Sequence, residues 1–372
     1  MILETSLKFC YNNSKCEPEN VEFKNVAEIA KLLNFLLKPF FSTVLIGVNL
    51  DAKVCSLKIV VMKNKRIKST ISKDYKIVDK ELPMEVAKLI KSYKRRYPFT
   101  YLSAMSKTYN QGLANCAKKG DLIKFGVNAK TSRIVEMPNQ WLFYIQQLAV
   151  DENRVKYIRA LGLDYLFSPF VLVYEHIKTR LSSKLKLYVL QERASITLFV
   201  ADKKGVYFGG FFMMGGELEQ SEDESLSAVE VHSLQEISSL DSILGSLDEL
   251  NEIGELEDLD AELIRKEFAP QEVDTQEQQE MEISRLEGLR DLARASNAAE
   301  ILKNSINEFY SNPIYASTQF IESSVILDTY GITEQAVEHL RNALMLDIEV
   351  RALNIPEALI ALAQAELSGT QG

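Results

Sequence analysis

Histidine is scarce in this chain. Its 372 residues hold three, His176, His232 and His339, scattered along the sequence. That does not support a His-centred triad or a multi-His metal site. The four cysteines, Cys10, Cys16, Cys55 and Cys116, show no CxxC pair and no neighbouring His. They read as reduced structural thiols of a cytosolic protein, with no metal site. Sixteen Gly and nine Pro are too few for a collagen-like or low-complexity polymer. Long apolar runs are missing as well. The most apolar stretch, Val26–Val48, is interrupted by Glu28, Lys31, Asn34, Lys38 and Pro39, so it cannot cross a bilayer as one apolar helix. The start, Met1-Ile2-Leu3-Glu4, carries an acid and lacks the basic n-region of a signal peptide. The expectation is a cytoplasmic protein that can sit against a membrane.

Basic residues are absent from 217–264, a segment with 16 acids. Residues 1–216 carry 35 Lys and Arg against 18 acids, and residues 265–372 carry 8 against 18. The net charge of −9 therefore conceals a basic first half. A basic half suits nucleic acid or an anionic membrane surface; the plainer reading is a solvated surface offset by the acidic segment. The acidic segment is rich in Ser, with Leu or Ile about every third or fourth residue from Leu234 to Leu263. It reads as a solvated disordered insert, or as amphipathic turns that order on a partner.

The rest is patterned for an α/β protein of two domains or one two-lobed fold. Residues 26–38 carry apolar positions at helical spacing and end at Pro39. Thr43–Asn49, Val54–Met62 and Arg66–Ser72 read as a three-stranded meander, followed by a basic helix over 84–96. Residues 99–137 alternate short strands and turns. Helices are predicted over Trp141–Leu161 and Ser168–Arg180, the latter with Pro169 in its first turn. A second meander then follows, over Lys186–Gln191, Ser195–Ala201 and Val206–Met213, with its hairpin turn at 202–205. The two meanders begin about 140 residues apart, which marks a duplication. Later come a helix over 280–309, a strand over Glu322–Thr329, a helix over Thr333–Leu346, a short strand over Ile348–Ala352 and a final helix over Pro356–Glu366.

Two meanders, each followed by helices, with a late strand–glycine–helix unit, resemble the order of the actin-like ATPase superfamily. Within it the chain resembles the PilM family and the cytoplasmic domain of its type II secretion counterpart, GspL. The resemblance rests on Ile46–Lys58 (IGVNLDAKVCSLK), on Tyr188–Gly216 closing on Met213-Met214-Gly215-Gly216, on Ile301–Tyr310 (ILKNSINEFY) and on Val325–Val350. It implies a two-lobed actin-like (ribonuclease-H-like) α/β fold with a duplicated β-meander. The implied organisation is an N-terminal extension with a helix (1–41), a first lobe (42–185) containing a small inserted subdomain at about 73–135, a second lobe (186–366) interrupted at 217–264, and a tail (367–372).

The superfamily wraps nucleotide phosphates in the turns of both meanders, with an Asp organising Mg²⁺ and a Gly admitting the phosphate to backbone N–H groups. Here the first turn reads Asn49-Leu50-Asp51, about two residues longer than expected. Asn49 lacks the anionic charge, and Asp51 repels phosphate unless it is a shifted Mg²⁺ ligand. The second turn reads Leu190-Gln191-Glu192, with an apolar residue for the Asp and a carboxylate for the Gly. In the late nucleoside turn a Gly pair has become Thr329-Tyr330, and only Gly331 is kept. The expectation is a degenerate site with no catalysis and no ATP or Mg²⁺ cofactor.

The resemblance then implies a cytoplasmic scaffold, peripheral at the inner membrane. It docks on the N-terminal tail of a single-pass, PilN-like membrane protein in a type IV pilus, a type II secretion system or a flagellar-motor accessory assembly. Self-association into a ring is a further expectation. The family's groove is expected at the insert, where Tyr97, Phe99 and Tyr101 lie at strand spacing on a candidate edge strand; the plainer reading makes them core. Lys88, Lys91, Lys94, Arg95 and Arg96 suit anionic lipid headgroups or an acidic tail. No nucleic-acid fold accompanies them, so no nucleic-acid partner is expected. The rival readings are an active actin-like ATPase or small-molecule kinase, and a cell-division filament protein.

Overall fold

The structure, a computed structural model, describes residues 40–64, 66–78, 81–116, 118–137, 141–214, 275–315 and 319–369. The helix expected at 26–38, the acidic segment 217–264 and the last three residues lie outside these. Along the chain come β1 (Thr43–Asp51), β2 (Val54–Lys63), β3 (Arg66–Lys76), α1 (Met84–Arg96) and β4 (Phe99–Met105). Next are β5 (Gln111–Asn115), β6 (Ser132–Met137), β7 (Trp141–Gln146), α2 (Gln147–Lys156), β8 (Tyr165–Phe167) and α3 (Pro169–Ile177). The second half contains β9 (Lys186–Gln191), β10 (Ser195–Asp202), β11 (Gly205–Met213), α4 (Thr275–Ser311), β12 (Ser323–Asp328), α5 (Glu334–Leu344), β13 (Asp347–Ala352) and α6 (Ile355–Gly369). The chain divides into two units, residues 1–214 with 288–372 and residues 215–287. All three sheets belong to the first.

Two five-stranded sheets repeat one plan, with orders β3-β2-β1-β4-β8 and β11-β10-β9-β12-β13. In each, an antiparallel meander places its first strand beside a parallel strand: β1 beside β4, and β9 beside β12. This duplicated plan is the two-lobed actin-like α/β fold. The central strands are the apolar ones. Val44 to Val48 of β1 and every residue of β10 are buried. Edge strand β3 (RIKSTISKDYK) is exposed on both faces, and its cations blunt an otherwise open edge.

Helices cover these sheets where the sequence offers apolar faces. Ala295, Ala298, Ala299 and Leu302 of α4 bury against Leu187, Val189 and Ile196 of the second sheet. The last helix returns to the first sheet, burying Ile355, Leu359, Ile360 and Ala363. Gly47 permits that return, since a Cβ there would stand 2.2 Å from the Pro356 carbonyl oxygen.

Four sequence expectations change. First, Trp141–Leu161 is not one helix: Trp141–Gln146 is strand β7, and only Gln147–Lys156 is α-helical. The aromatic and β-branched run WLFYIQ buries Trp141, Leu142, Phe143 and Ile145 and pairs with both β5 and β6. Second, the separate sheet of the insert, order β5-β7-β6, spans 111–146. Its boundaries thus differ from 73–135, because α1 and β4 belong with the first sheet. Third, β4 is no edge strand. It lies between β1, which pairs along Phe99–Ala104, and β8, which pairs at Ser103–Met105. Phe99 is 8% exposed, Tyr97 stacks on Tyr93, and Tyr101 meets Tyr165 at 5.9 Å. These aromatics are packing residues. Fourth, Asn49, Leu50 and Asp51 are ladder residues of β1 opposite Ser56, Cys55 and Val54. The turn itself is the tight pair Ala52-Lys53, with Ala52 at φ 50°.

Candidate functional site

The ends of β1, β9 and β12 bring the three expected turns together. From the first, Asp51 reaches across to the second. Its carboxylate accepts from the backbone N–H of Arg193 at 2.9 Å and of Ala194 at 3.0 Å. Asn49 donates through Nδ2 to Glu192 Oε1 at 3.0 Å. Asn49, Asp51 and Glu192 are all buried. Asn49 thus bonds Glu192 directly, and Asp51 bonds the two residues that follow Glu192.

Three carbonyl or carboxylate groups in so small a space need a cation. Lys107, just after β4, supplies it. Its Nζ donates to the Leu50 carbonyl at 2.6 Å and to Glu192 Oε1 at 2.6 Å, and stands 4.0 Å from Asp51 Oδ1. Ser195 donates to the other oxygen of Glu192 at 2.9 Å. Even so, burial pushes the Glu192 carboxyl above its ordinary value, with the Asp51 charge adding to the rise; Lys107 and Asn49 oppose it. Nothing in the local sequence AMSKTYN marks Lys107, whose partners lie 57 and 85 residues away.

The third turn closes the other side. Asp328 at the end of β12 accepts from the N–H groups of Tyr330, Gly331 and Ile332, which holds the turn with Gly331 at φ 87°. Thr329 donates its hydroxyl to the Gln191 carbonyl at 2.9 Å, and Gln191 Nε2 donates to the Tyr330 hydroxyl at 3.0 Å. The Tyr330 ring has the Arg193 guanidinium at 5.2 Å and that of Arg294 at 5.5 Å. Burial pushes the Tyr330 phenol above its ordinary value, with the charge of Asp291 adding to the rise and Arg294 opposing it. Leu190 and Gln191, expected in the second turn, are ladder residues of β9 opposite Thr197 and Ile196, and Leu190 is buried in the core. Asn49 Oδ1 and Gln191 Oε1 are buried without a protein partner, so each has room in its bonding for a water or a ligand atom.

A second tie joins the halves away from the turns. Leu113 of β5 sits against Gly209 of β11, where a Cβ would meet its Cδ1 at 2.4 Å, and Tyr109 meets Phe211 edge-on at 6.3 Å. The insert therefore spans from the first sheet to the second. The remaining expected residues, Arg95 and Arg96, are exposed at the end of α1 and take no part in the cluster. Among the described residues no group of His, Cys, Asp and Glu is arranged to hold a metal, and no helix is long and apolar enough to cross a membrane. Cys55 and Cys116 are free and buried, and burial, helped by Asp74, pushes the Cys55 thiol to about 12.

Two family models match the chain: a domain of unknown function, DUF8569, over residues 40–174, and a domain of unknown function, DUF8341, over residues 187–368. No curated protein matches it. Solved structures share its outline at low identity. The PilM–PilN type IV pilus biogenesis complex aligns with 14% identity and a TM-score of 0.49, over 88% of this chain and 99% of that one. A Bacteroides thetaiotaomicron protein with actin-like ATPase fold and unknown function aligns with 11% identity and a TM-score of 0.43, over 88% and 98%. The ethanolamine utilization protein EutJ from Carboxydothermus hydrogenoformans aligns with 13% identity and a TM-score of 0.34, over 92% and 98%.

Proposed function

We propose that this chain is a non-catalytic scaffold whose actin-like cleft is closed by its own side chains. One observation carries the reading: the Asp51 carboxylate bonds the backbone N–H groups of Arg193 and Ala194. Those are donors of the meander turn that, in the superfamily, faces a nucleotide phosphate. An internal anion thus takes the phosphate's place. The donor set does not fit a Mg²⁺-nucleotide. Asp51 and Glu192 put two carboxylates on the phosphate side, their close cations are already engaged, Lys107 with Glu192 and Arg193 with Asp51 at 3.8 Å, and Tyr330 fills the nucleoside side. A phosphate would have to break the Asp51 bonds to reach those donors, and a nucleoside would have to displace Tyr330.

In this reading, which follows the sequence resemblance to the PilM family, the protein is cytoplasmic and peripheral at the inner membrane. It docks on the N-terminal tail of a single-pass, PilN-like membrane protein in a pilus, secretion or motor assembly. A two-lobed body tied across its cleft suits an adaptor, which needs fixed surfaces rather than a hinge that opens with each turnover. The test is a titration of tail peptides, taken from single-pass membrane proteins encoded beside its gene, with and without Mg·ATP. Roughly micromolar binding, unchanged by nucleotide, is expected. Binding that requires ATP, or no binding by any tail, contradicts the reading.

A further inference from the structure

We infer that α1 and the neighbouring turn Ile158–Ala160 form a surface that lies directly on an anionic lipid bilayer. Four large apolar side chains stand out there: Met84 is 53% exposed, Val155 69%, Ile158 69% and Leu161 52%. Val155 lies in the last turn of α2, Ile158 opens the short helical turn and Leu161 caps it with left-handed backbone, so three exposed apolar side chains crowd one short stretch of chain. The turn is fastened to α1 at both ends. The Arg159 guanidinium lies 4.0 Å from Met84 Sδ, and Lys94 Nζ donates to the Gly162 carbonyl at 2.8 Å.

The cations beside this apolar group fall into two sets. Arg159 is paired with Glu81 at 2.6 Å, Arg154 with Asp151 at 3.4 Å and Lys94 with Asp164 at 3.0 Å. Among the described residues no carboxylate pairs with Lys88, Lys91 or Arg95. Those three follow Met84 at intervals of four, three and four residues, which is one stripe of the α1 helix. Counting Glu81, Glu85, Asp151, Glu152 and Asp164 against the stripe, residues 81–96 and 147–164 still hold eight cations to five carboxylates.

An apolar group edged by unpaired cations has the chemistry of the bilayer interface. The apolar chains enter the headgroup boundary, and the Lys and Arg stems stretch to the phosphates. An extended acidic peptide fits less well, because helices have spent their backbone donors internally and offer no strand edge. This inference does not need the PilN-like tail, since protein-free vesicles suffice to test it.

The experiment is flotation of the full chain with vesicles of phosphatidylcholine alone, or with about 30% phosphatidylglycerol. Binding is expected only to the anionic vesicles, and is expected to weaken as salt rises. Lys88→Glu with Lys91→Glu and Arg95→Glu should abolish it, since each cation is worth about fivefold in partition. Val155→Ser with Ile158→Ser should lower it several-fold with an unchanged melting curve, because both side chains are already in water. No flotation of the wild type, equal binding to neutral vesicles, or variants that float like the wild type would each overturn the inference. An acidic peptide that binds this face while vesicles do not would also overturn it, and would make the face a protein-docking surface.

Discussion

Lys107 sets the charge balance where the three turns meet. It stands between Glu192, Asp51 and the Leu50 carbonyl, and is itself only 13% exposed at the side chain. Lys107→Met keeps its length and removes the ammonium, leaving Glu192 buried beside a second carboxylate. Losing one partner of a buried pair costs about 3–5 kcal/mol. Urea unfolding should show that loss, and Glu192→Gln placed on top of Lys107→Met should recover part of it, because the stranded charge is gone. Glu192 also predicts a pH dependence. Its folded carboxyl titrates above the ordinary 4.5, chiefly through burial. The folded state then holds a proton that the unfolded state has already released, so this group's contribution is full below 4.5 and is lost as pH rises through the folded value. Wild type should therefore lose stability relative to Glu192→Gln as pH climbs above 4.5. A difference that stays constant across pH in urea titrations would show Glu192 to be ordinary.

Elements divide by how local their signals are. The meanders were legible because β1, β2, β9 and β10 are short apolar runs bounded by turn residues, and α1 because its apolar positions recur at helical spacing before Pro98. Trp141–Gln146 was not, since an apolar run without alternation is compatible with either element until its partners β5 and β6 are known. Tyr97, Phe99 and Tyr101 misled for a related reason: spacing by two marks a strand, yet says nothing about whether its edges are free. At the site, sequence located Asn49, Asp51, Glu192 and Tyr330 as departures. It could not show that Asp51 bonds Arg193 and Ala194, 142 and 143 residues away. Two glycines test how elements meet. A Cβ at Gly47 collides with the backbone of Pro356, which cannot yield without moving α6, whereas one at Gly209 meets the end of the Leu113 side chain. Gly47→Ala should cost more than the roughly 1–3 kcal/mol usual for overpacking, and more than Gly209→Ala. Equal melting temperatures for the two variants would mean that α6 seats loosely on β1.

For the whole molecule, the halves meet at the polar cluster, at the contact of the insert's β5 with β11, and where α3 packs on β9 and β10 in a core shared with the first sheet. An actin-like enzyme needs its cleft to admit nucleotide. In this chain the second-turn donors are taken up by Asp51. A nucleotide at 100 times its dissociation constant would add about 2.7 kcal/mol to stability. The direct measurement is thermal unfolding of the wild-type chain with and without millimolar Mg·ATP. Superimposable melting curves are expected; a clear rise in melting temperature with nucleotide would mean that the cleft admits it after all.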